Sequence, residues 1–264
     1  MYLHQIMEMN NEAAACIVQK EYAQGIEKLI FGVRQLQTHL VEMSELLDGN
    51  SADIHSDSPL DSWMYPAMEA IHSDSDASFF VYRRPLVVSP LDIGRARVQA
   101  ENMKFYHQYV TGGNVNLVVA MLFNYGLACH LSHIDFEGRL NDGSRPDYDL
   151  LQRASQMYDL AITNLRRLAV PKSTERGSVV SDNIQFFRAA MNNLAIAEQT
   201  RYVMAASPIV GIPSNKGFER LRELLLRHPP ASDDAPETTL WNCYLSNILR
   251  VTNSFQPNYC AAAC

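Results

Sequence analysis

The sequence feature that most constrains the fold is the spacing of apolar residues near the start of the chain. In two runs, from Met9 to Ile17 and from Tyr22 to Leu40, apolar residues recur every three or four positions. That spacing places them on one face of an α-helix. The polar residues Lys20 and Glu21 separate the runs, so we expect an antiparallel helix pair. The apolar face of such a pair is too wide to remain in water and must pack against further structure.

Similar spacing returns along the chain and predicts an all-α fold of stacked antiparallel helix pairs. Later helices are expected from about Asn116 to His133, from Tyr148 to Ala169, from an N-cap at Ser181-Asp182 to Ala206, from Ser214 to His228, and from Pro236 to Val251. A further helix is predicted from Arg95 to Tyr109. We expect Gly112 and Gly113 to end it, because glycine weakens a helix interior.

Residues 48–90 interrupt this pattern and are interpreted as a flexible acidic insert. The stretch Ile54–Ser58 recurs as Ile71–Ser75; its serines could accept phosphate, or the repeat could belong to a simple solvated linker. The β-forming residues from Phe79 to Val88 predict a short extended segment or a β-hairpin. The predicted organisation is a first helical pair (1–47), the insert (48–90), the remaining pairs of the same domain (91–252) and a tail (253–264).

Three helices share a register in which an asparagine precedes small residues. The segments are Asn11-Glu12-Ala13-x2-Cys16, Asn124-Tyr125-Gly126-x2-Cys129 and Asn193-Leu194-Ala195-x2-Glu198, and their partner helices contain Tyr22-x2-Gly25, Leu151-x2-Ala154 and Phe218-x2-Leu221. Small residues allow two helix axes to approach within roughly 8–10 Å. The spacing resembles the tetratricopeptide repeat (TPR) over about half of the chain. The chain looks most like divergent TPR-like proteins of microalgae, in which a segment of the type Phe-Val-Tyr-Arg-Arg-Pro-Leu also occurs.

The resemblance implies a TPR-like superhelix whose concave face, lined by the first helix of each pair, binds a peptide or helix of a partner protein. The predicted partner-binding residues are Asn10, Ile17, Phe123, Asn124, Leu127, His130, Asn192, Asn193 and Ile196. The amides of Asn11, Asn124 and Asn193 could pair with the backbone of an extended peptide, or could only bridge neighbouring helices. The insert would act as a tether, a regulator or an autoinhibitory flap, with Trp63–Tyr65 able to dock into the groove.

Charge and cysteine content limit the partner and the compartment. The chain has 22 Lys and Arg against 29 Asp and Glu, and this formal charge of -7 argues against nucleic acid as the main partner. No membrane span is predicted, because the most apolar stretch, Asn116–Ala128, contains Asn124 and Gly126. Five dispersed cysteines favour reduced thiols and a cytoplasmic protein, with the nucleus as an alternative.

Catalytic chemistry is not predicted. The sequence has no Gly-x-Ser-x-Gly elbow, glycine-rich phosphate loop or His-Glu-x2-His motif, so we expect no enzyme and no cofactor. The densest set of metal-capable side chains, Cys129, His130, His133 and Asp135, lacks the spacing of a zinc site. The predicted function is a non-enzymatic protein-binding adaptor or scaffold. The first alternative is a structural subunit of a larger assembly. A helical enzyme or metal-binding domain is the less favoured alternative.

Overall fold

The computed structural model describes residues 2–46, 79–88, 103–137, 148–168, 183–205, 216–230 and 236–254. Within these ranges the fold is all-α, as predicted. The helices are α1 (Tyr2–Val18), α2 (Tyr22–Leu46), α3 (Met103–Glu137), α4 (Tyr148–Leu168), α5 (Ile184–Ala205), α6 (Lys216–Arg227) and α7 (Pro236–Ser254). The insert up to residue 78, including Trp63–Tyr65, and the tail from residue 255, including Cys260 and Cys264, lie outside the described residues.

A tight turn joins the first two helices. The N–H of Lys20 donates to the carbonyl of Ile17 at 3.1 Å, and the N–H of Glu21 donates to the carbonyl of Cys16 at 2.8 Å. These two bonds satisfy carbonyl groups at the end of α1, and they require Lys20 to adopt a φ of 65° in the left-handed region. The chain therefore reverses within three residues, and α2 packs back against α1.

Each helix packs against the next one along the chain. In addition, α1 contacts α3, α3 contacts α5 and α5 contacts α7, so the odd-numbered helices lie side by side. This arrangement is a stack of antiparallel pairs, with the odd-numbered helices forming one face. That face positions the site described below.

Small residues allow the close helix crossings, as the sequence predicts. A Cβ atom added to Gly126 of α3 would lie 2.9 Å from the ring of Tyr158 on α4, closer than real Cβ contacts. At Gly32 of α2 the nearest group is the terminal methyl of Met121, which belongs to a flexible side chain. A larger residue is therefore excluded more strictly at Gly126 than at Gly32.

One predicted helix boundary is wrong. Gly112 and Gly113 do not end a helix, because α3 continues through them from Met103 to Glu137. Each glycine costs only about 1 kcal/mol in a helix interior, which a long helix packed along much of its length tolerates. Helix α5 begins at Ile184, and the carbonyl of Asn183 accepts the N–H of Phe187 at 3.0 Å. The predicted N-cap, Ser181-Asp182, lies outside the described residues.

Part of α3 is relevant to the prediction that the chain has no membrane span, because it is long and apolar. Residues Asn116–Phe136 have the length and hydropathy of a bilayer-crossing helix. In the fold, 78% of the most apolar window is buried inside the protein. The helix that is long and apolar enough to cross a bilayer therefore also packs inside the stack of helices.

Residues 79–88 are extended, but they do not form the β-hairpin that the sequence left open. Among the described residues, no strand pairs with this segment. Its backbone is instead bonded to side chains of the helices. We call residues 79–88 the groove segment.

Candidate functional site

The groove segment lies across the odd-numbered helices, where the sequence predicts a concave binding face. Four asparagines, one from each of these helices, contact it in order: Asn11 on α1, Asn124 on α3, Asn193 on α5 and Asn247 on α7. We call these four residues the asparagine row. The expected hollow is therefore filled by the chain itself and is not open to solvent.

Each member of the row makes two hydrogen bonds to a single residue of the groove segment. The side-chain amide donates to the carbonyl of that residue, and the side-chain carbonyl accepts its N–H. The pairs, with the two distances, are Asn11 with Val88 (2.8 and 2.9 Å), Asn124 with Leu86 (2.8 and 2.7 Å), Asn193 with Tyr82 (2.9 and 2.9 Å) and Asn247 with Phe80 (2.8 and 2.9 Å).

This geometry reproduces the edge of a β-sheet with side chains. In an extended chain the N–H and C=O of one residue point to the same side, and the next residue points to the opposite side. An asparagine side chain carries one donor and one acceptor in a fixed plane, so it can satisfy both groups of every second residue. The row thus replaces the partner strand that the β-forming residues lack.

Two further asparagines, Asn10 and Asn192, reinforce the row. Asn10 donates to the carbonyl of Leu86 at 3.0 Å and accepts from the amide of Asn124 at 3.0 Å. In the same way, Asn192 donates to the carbonyl of Phe80 at 2.9 Å and accepts from the amide of Asn247 at 2.7 Å. Both side chains are fully buried under the segment.

The side chains of the groove segment are held by apolar contacts. Tyr82, Leu86 and Val88 are fully buried, and the ring of Tyr82 lies 6.3 Å from that of Phe123. At the other end of the segment, Phe80 packs against Tyr244 at 5.7 Å, and Phe79 stacks on Phe218 at 6.0 Å. The backbone is therefore held by amides and the side chains by the core, so the segment is bound in one register.

The predicted partner-binding residues divide into two groups. Asn10, Asn124, Asn192 and Asn193 contact the groove segment directly. Ile17, Phe123, Leu127, His130 and Ile196 are at most 3% exposed and belong to the packed interior. Contact of either group with another protein stays a prediction.

Sequence reasoning missed Asn247. It stands on α7, which has no following helix in the described part of the chain and was therefore not aligned with the three pairs. The signal that could have found it is Ser246-Asn247-Ile248, which places an asparagine directly before a core residue of the last amphipathic helix.

His130 lies below the row and is almost completely buried. Its Nδ1 is 3.5 Å from the hydroxyl of Tyr158, which also accepts a bond from Asn193 at 3.4 Å. Burial lowers the pKa of His130 to about 3, and the nearby charges of His133 and Arg83 act in the same direction. The imidazole is therefore neutral near pH 7 and serves as part of the core.

The candidate metal corner does not assemble among the described residues. These residues contain no group of three or more His, Cys, Asp and Glu side chains placed to hold a metal ion. Asp135 instead accepts a hydrogen bond from the Tyr22 hydroxyl at 2.9 Å and pairs with Lys20 at 3.4 Å. The carboxylate thus fastens α3 to the turn between α1 and α2.

Fold and site together define a class of structure: a stack of antiparallel helices whose inner asparagines hold an extended segment by its backbone. Comparison of the chain with protein-family models, curated proteins and solved structures gives no match.

Proposed function

We propose that this protein is a non-enzymatic interaction scaffold of the TPR-like type, in which the groove accepts an extended segment of a partner protein. The observation that carries this proposal is the asparagine row. The hydrogen bonds from the row to the groove segment all go to backbone atoms, and every extended peptide offers the same backbone groups except at proline. The groove segment then acts as an internal ligand that competes with the partner.

The proposal rests on what the groove would expose without its occupant. Removing the groove segment takes two hydrogen bonds from each asparagine of the row and leaves only the bonds among the asparagines and the bond from Asn193 to Tyr158. Each unsatisfied buried group costs about 1–3 kcal/mol unless water or another peptide replaces the lost bond. A groove lined in this way favours an extended peptide over an apolar helix, because a helix has already paired its own backbone groups.

Competition within the chain sets the affinity that a partner needs. A segment tethered to its own site has an effective concentration of roughly 1 mM. A free partner at about 10 μM with equal intrinsic affinity would then hold about 1% of the grooves, so it needs about 100-fold tighter binding or a second contact. The groove segment thus sets a threshold for binding, which is the autoinhibitory role considered for the insert.

Other features of the chain support a protein partner. The formal charge of -7 disfavours nucleic acid. The buried asparagines, the neutral His130 and the surrounding aromatic rings have structural contacts that account for them without a reaction. We propose a cytoplasmic location, with the nucleus as the alternative, and no cofactor.

The experiment compares three versions of the full chain as bait for cross-linking and mass spectrometry. The first is intact, the second has residues 79–88 replaced by ten Gly and Ser residues, and the third adds Asn193→Asp to the replacement. We expect proteins that are captured by the second version and lost from the third, because the carboxylate cannot donate to a peptide carbonyl. Identical capture by all three versions would overturn the proposal.

A structural subunit is the second candidate, and one observation favours it. The outer side of α1 and α2 carries an open cleft of about 830 Å³ that includes Phe31, which is 52% exposed. If the groove segment never leaves, such outer faces are the surfaces left for assembly. Sedimentation of the intact chain and of Phe31→Ser separates the candidates, since only a subunit that assembles through this face changes its association state.

A further inference from the structure

The asparagines of the groove form two equivalent sets. Met9-Asn10-Asn11-x-Ala13 on α1 recurs as Met191-Asn192-Asn193-x-Ala195 on α5. In each set the next odd-numbered helix supplies a single asparagine, Asn124 on α3 or Asn247 on α7.

The hydrogen bonds of the two sets correspond one to one. In both, the first asparagine of the dipeptide donates to the second, at 3.4 Å in the α1 set and 3.3 Å in the α5 set. It also accepts from the single asparagine and donates to the carbonyl that this asparagine already binds. Sequence and geometry thus repeat together across 182 residues, as the numbering of Asn10 and Asn192 shows.

We infer that the groove consists of two copies of one three-asparagine clamp, and that each copy binds a tripeptide of the pattern apolar-x-apolar in extended form. The α5–α7 clamp holds Phe80-Val81-Tyr82, and the α1–α3 clamp holds Leu86-Val87-Val88. The ligand class is therefore an extended nine-residue peptide with apolar residues at positions 1, 3, 7 and 9, and with a further apolar residue at position 2, where Val81 is buried. This inference rests on the proposed function and specifies its ligand.

The three-residue gap between the clamps follows from two repeat distances. An extended chain rises about 3.3 Å per residue, so two residues span about 6.6 Å, less than the roughly 8–10 Å between packed helices. The clamped residues 80, 82, 86 and 88 advance by two, four and two residues per helix step. Eight residues cover about 26 Å, or about 9 Å for each of three steps, so the longer middle step restores the register.

Residues 83–85, which lie between the two clamped tripeptides, are consistent with this register. Pro85 is buried in the gap, where no member of the row binds, and proline has no N–H to donate. Arg83 and Arg84, in the same gap, are only half-buried. Positions 4 to 6 of the ligand are thus free of the backbone requirement, whereas proline is excluded at positions 1, 3, 7 and 9.

The surroundings of each groove-segment side chain add a preference for the size of the ligand side chain at that position. Position 3 takes an aromatic ring, because Tyr82 packs against Phe123 in full burial. Positions 7 and 9 take the aliphatic side chains of Leu86 and Val88, which are also fully buried. Position 1 is half-buried and holds Phe80 against Tyr244.

The test uses a fluorescent synthetic peptide of residues 78–89 and the chain in which residues 79–88 are replaced by Gly and Ser. Binding is followed by fluorescence anisotropy. A peptide N-methylated at Leu86 loses the donor to Asn124, and the matched control is N-methylated at Val87, whose N–H no asparagine of the row accepts. A third peptide lacks Arg84, so that both tripeptides cannot be clamped at once.

We expect N-methylation at Leu86 to weaken binding at least about 10-fold, and N-methylation at Val87 to change it less than about 3-fold. Deletion of Arg84 should weaken binding at least about 30-fold, because one clamp is left empty. If the peptide binds but the two methylated forms weaken alike, or the deletion has no effect, the two-clamp inference fails while the groove remains a peptide site. If the unmodified peptide does not bind, the proposed function fails with it.

A second format covers the case in which the replaced chain does not fold. Protease sites inserted before residue 79 and after residue 88 of the intact chain convert the groove segment into a bound, separate peptide after cleavage. Its exchange for the labelled peptides then ranks the same three modifications. Failure of the nicked segment to exchange with the unmodified peptide over days would contradict the proposal of a replaceable ligand.

Discussion

Replacement of Asn124 by aspartate tests whether the asparagine row holds the groove segment. The buried amide of Asn124 donates to the carbonyl of Leu86 at 2.8 Å and to the side-chain carbonyl of Asn10 at 3.0 Å. Aspartate has the same shape but no donor when ionised, so the side-chain carbonyl of Asn10 loses the bond from residue 124, the carbonyl of Leu86 keeps only the bond from Asn10, and both carbonyls face another oxygen. Loss of two buried bonds, together with a buried charge, predicts a loss of about 3–5 kcal/mol in the free energy of unfolding.

Asn164→Asp is the matched control. Asn164 donates to a backbone carbonyl as well, that of Leu160 at 2.8 Å, but it does so on the exposed side of α4. Water replaces that bond, so we expect a loss below about 1 kcal/mol.

Urea unfolding at pH 7, followed by circular dichroism, measures both variants against the parent chain. A second signature is pH dependence. Protonation of the carboxyl group introduced by Asn124→Asp restores one donor, so the deficit of this variant should shrink towards acid pH. Equal losses for the two variants, or a deficit for Asn124→Asp below about 1 kcal/mol, would refute the account of the row.

Three further predictions concern the helices and the core. Gly126→Ala should lower the free energy of unfolding by about 1–3 kcal/mol, because its Cβ would overlap the ring it packs on. Gly32→Ala should be neutral or stabilising by up to about 1 kcal/mol, and urea unfolding of both separates packing from helix propensity. Lys20→Gly should stabilise the turn by about 0.5–1 kcal/mol in the same assay, since glycine adopts a φ of 65° without strain; a loss would contradict this. Because the pKa of His130 falls from 6.5 to about 3 on folding, the unfolded chain binds a proton that the native chain rejects, and stability is lost as pH falls through that window. At pH 5 this loss is about 2 kcal/mol relative to pH 7.5; His130→Gln should reduce it and the exposed control His4→Gln should not.

The helical stack could be predicted from the sequence because its signals are local. Apolar spacing along each helix and small residues such as Gly126 at the crossings report which faces pack, whatever lies further along the chain. The same reasoning failed at Gly112 and Gly113, because an intrinsic preference of about 1 kcal/mol per residue is overridden by the helix on both sides.

The occupant of the groove could not be predicted in the same way. The sequence indicated that asparagines in one register could pair with an extended backbone, and it also indicated that Phe79–Val88 is extended. Nothing local connects the two, since Asn11 and Val88 are separated by 77 residues and Asn247 and Phe80 by 167. Only the fold brings the β-forming residues to a face that lacks a strand but offers amides.

Amide hydrogen exchange of the groove segment, resolved by nuclear magnetic resonance, reports separately on each hydrogen bond between the segment and the asparagine row. The N–H groups of Phe80, Tyr82, Leu86 and Val88 each donate to an asparagine of the row. The account predicts that all four exchange far more slowly than in a free peptide, and that an excess of the 78–89 peptide leaves the groove protected while releasing the chain's own segment. Exchange of these four groups at free-peptide rates in the folded chain would contradict it.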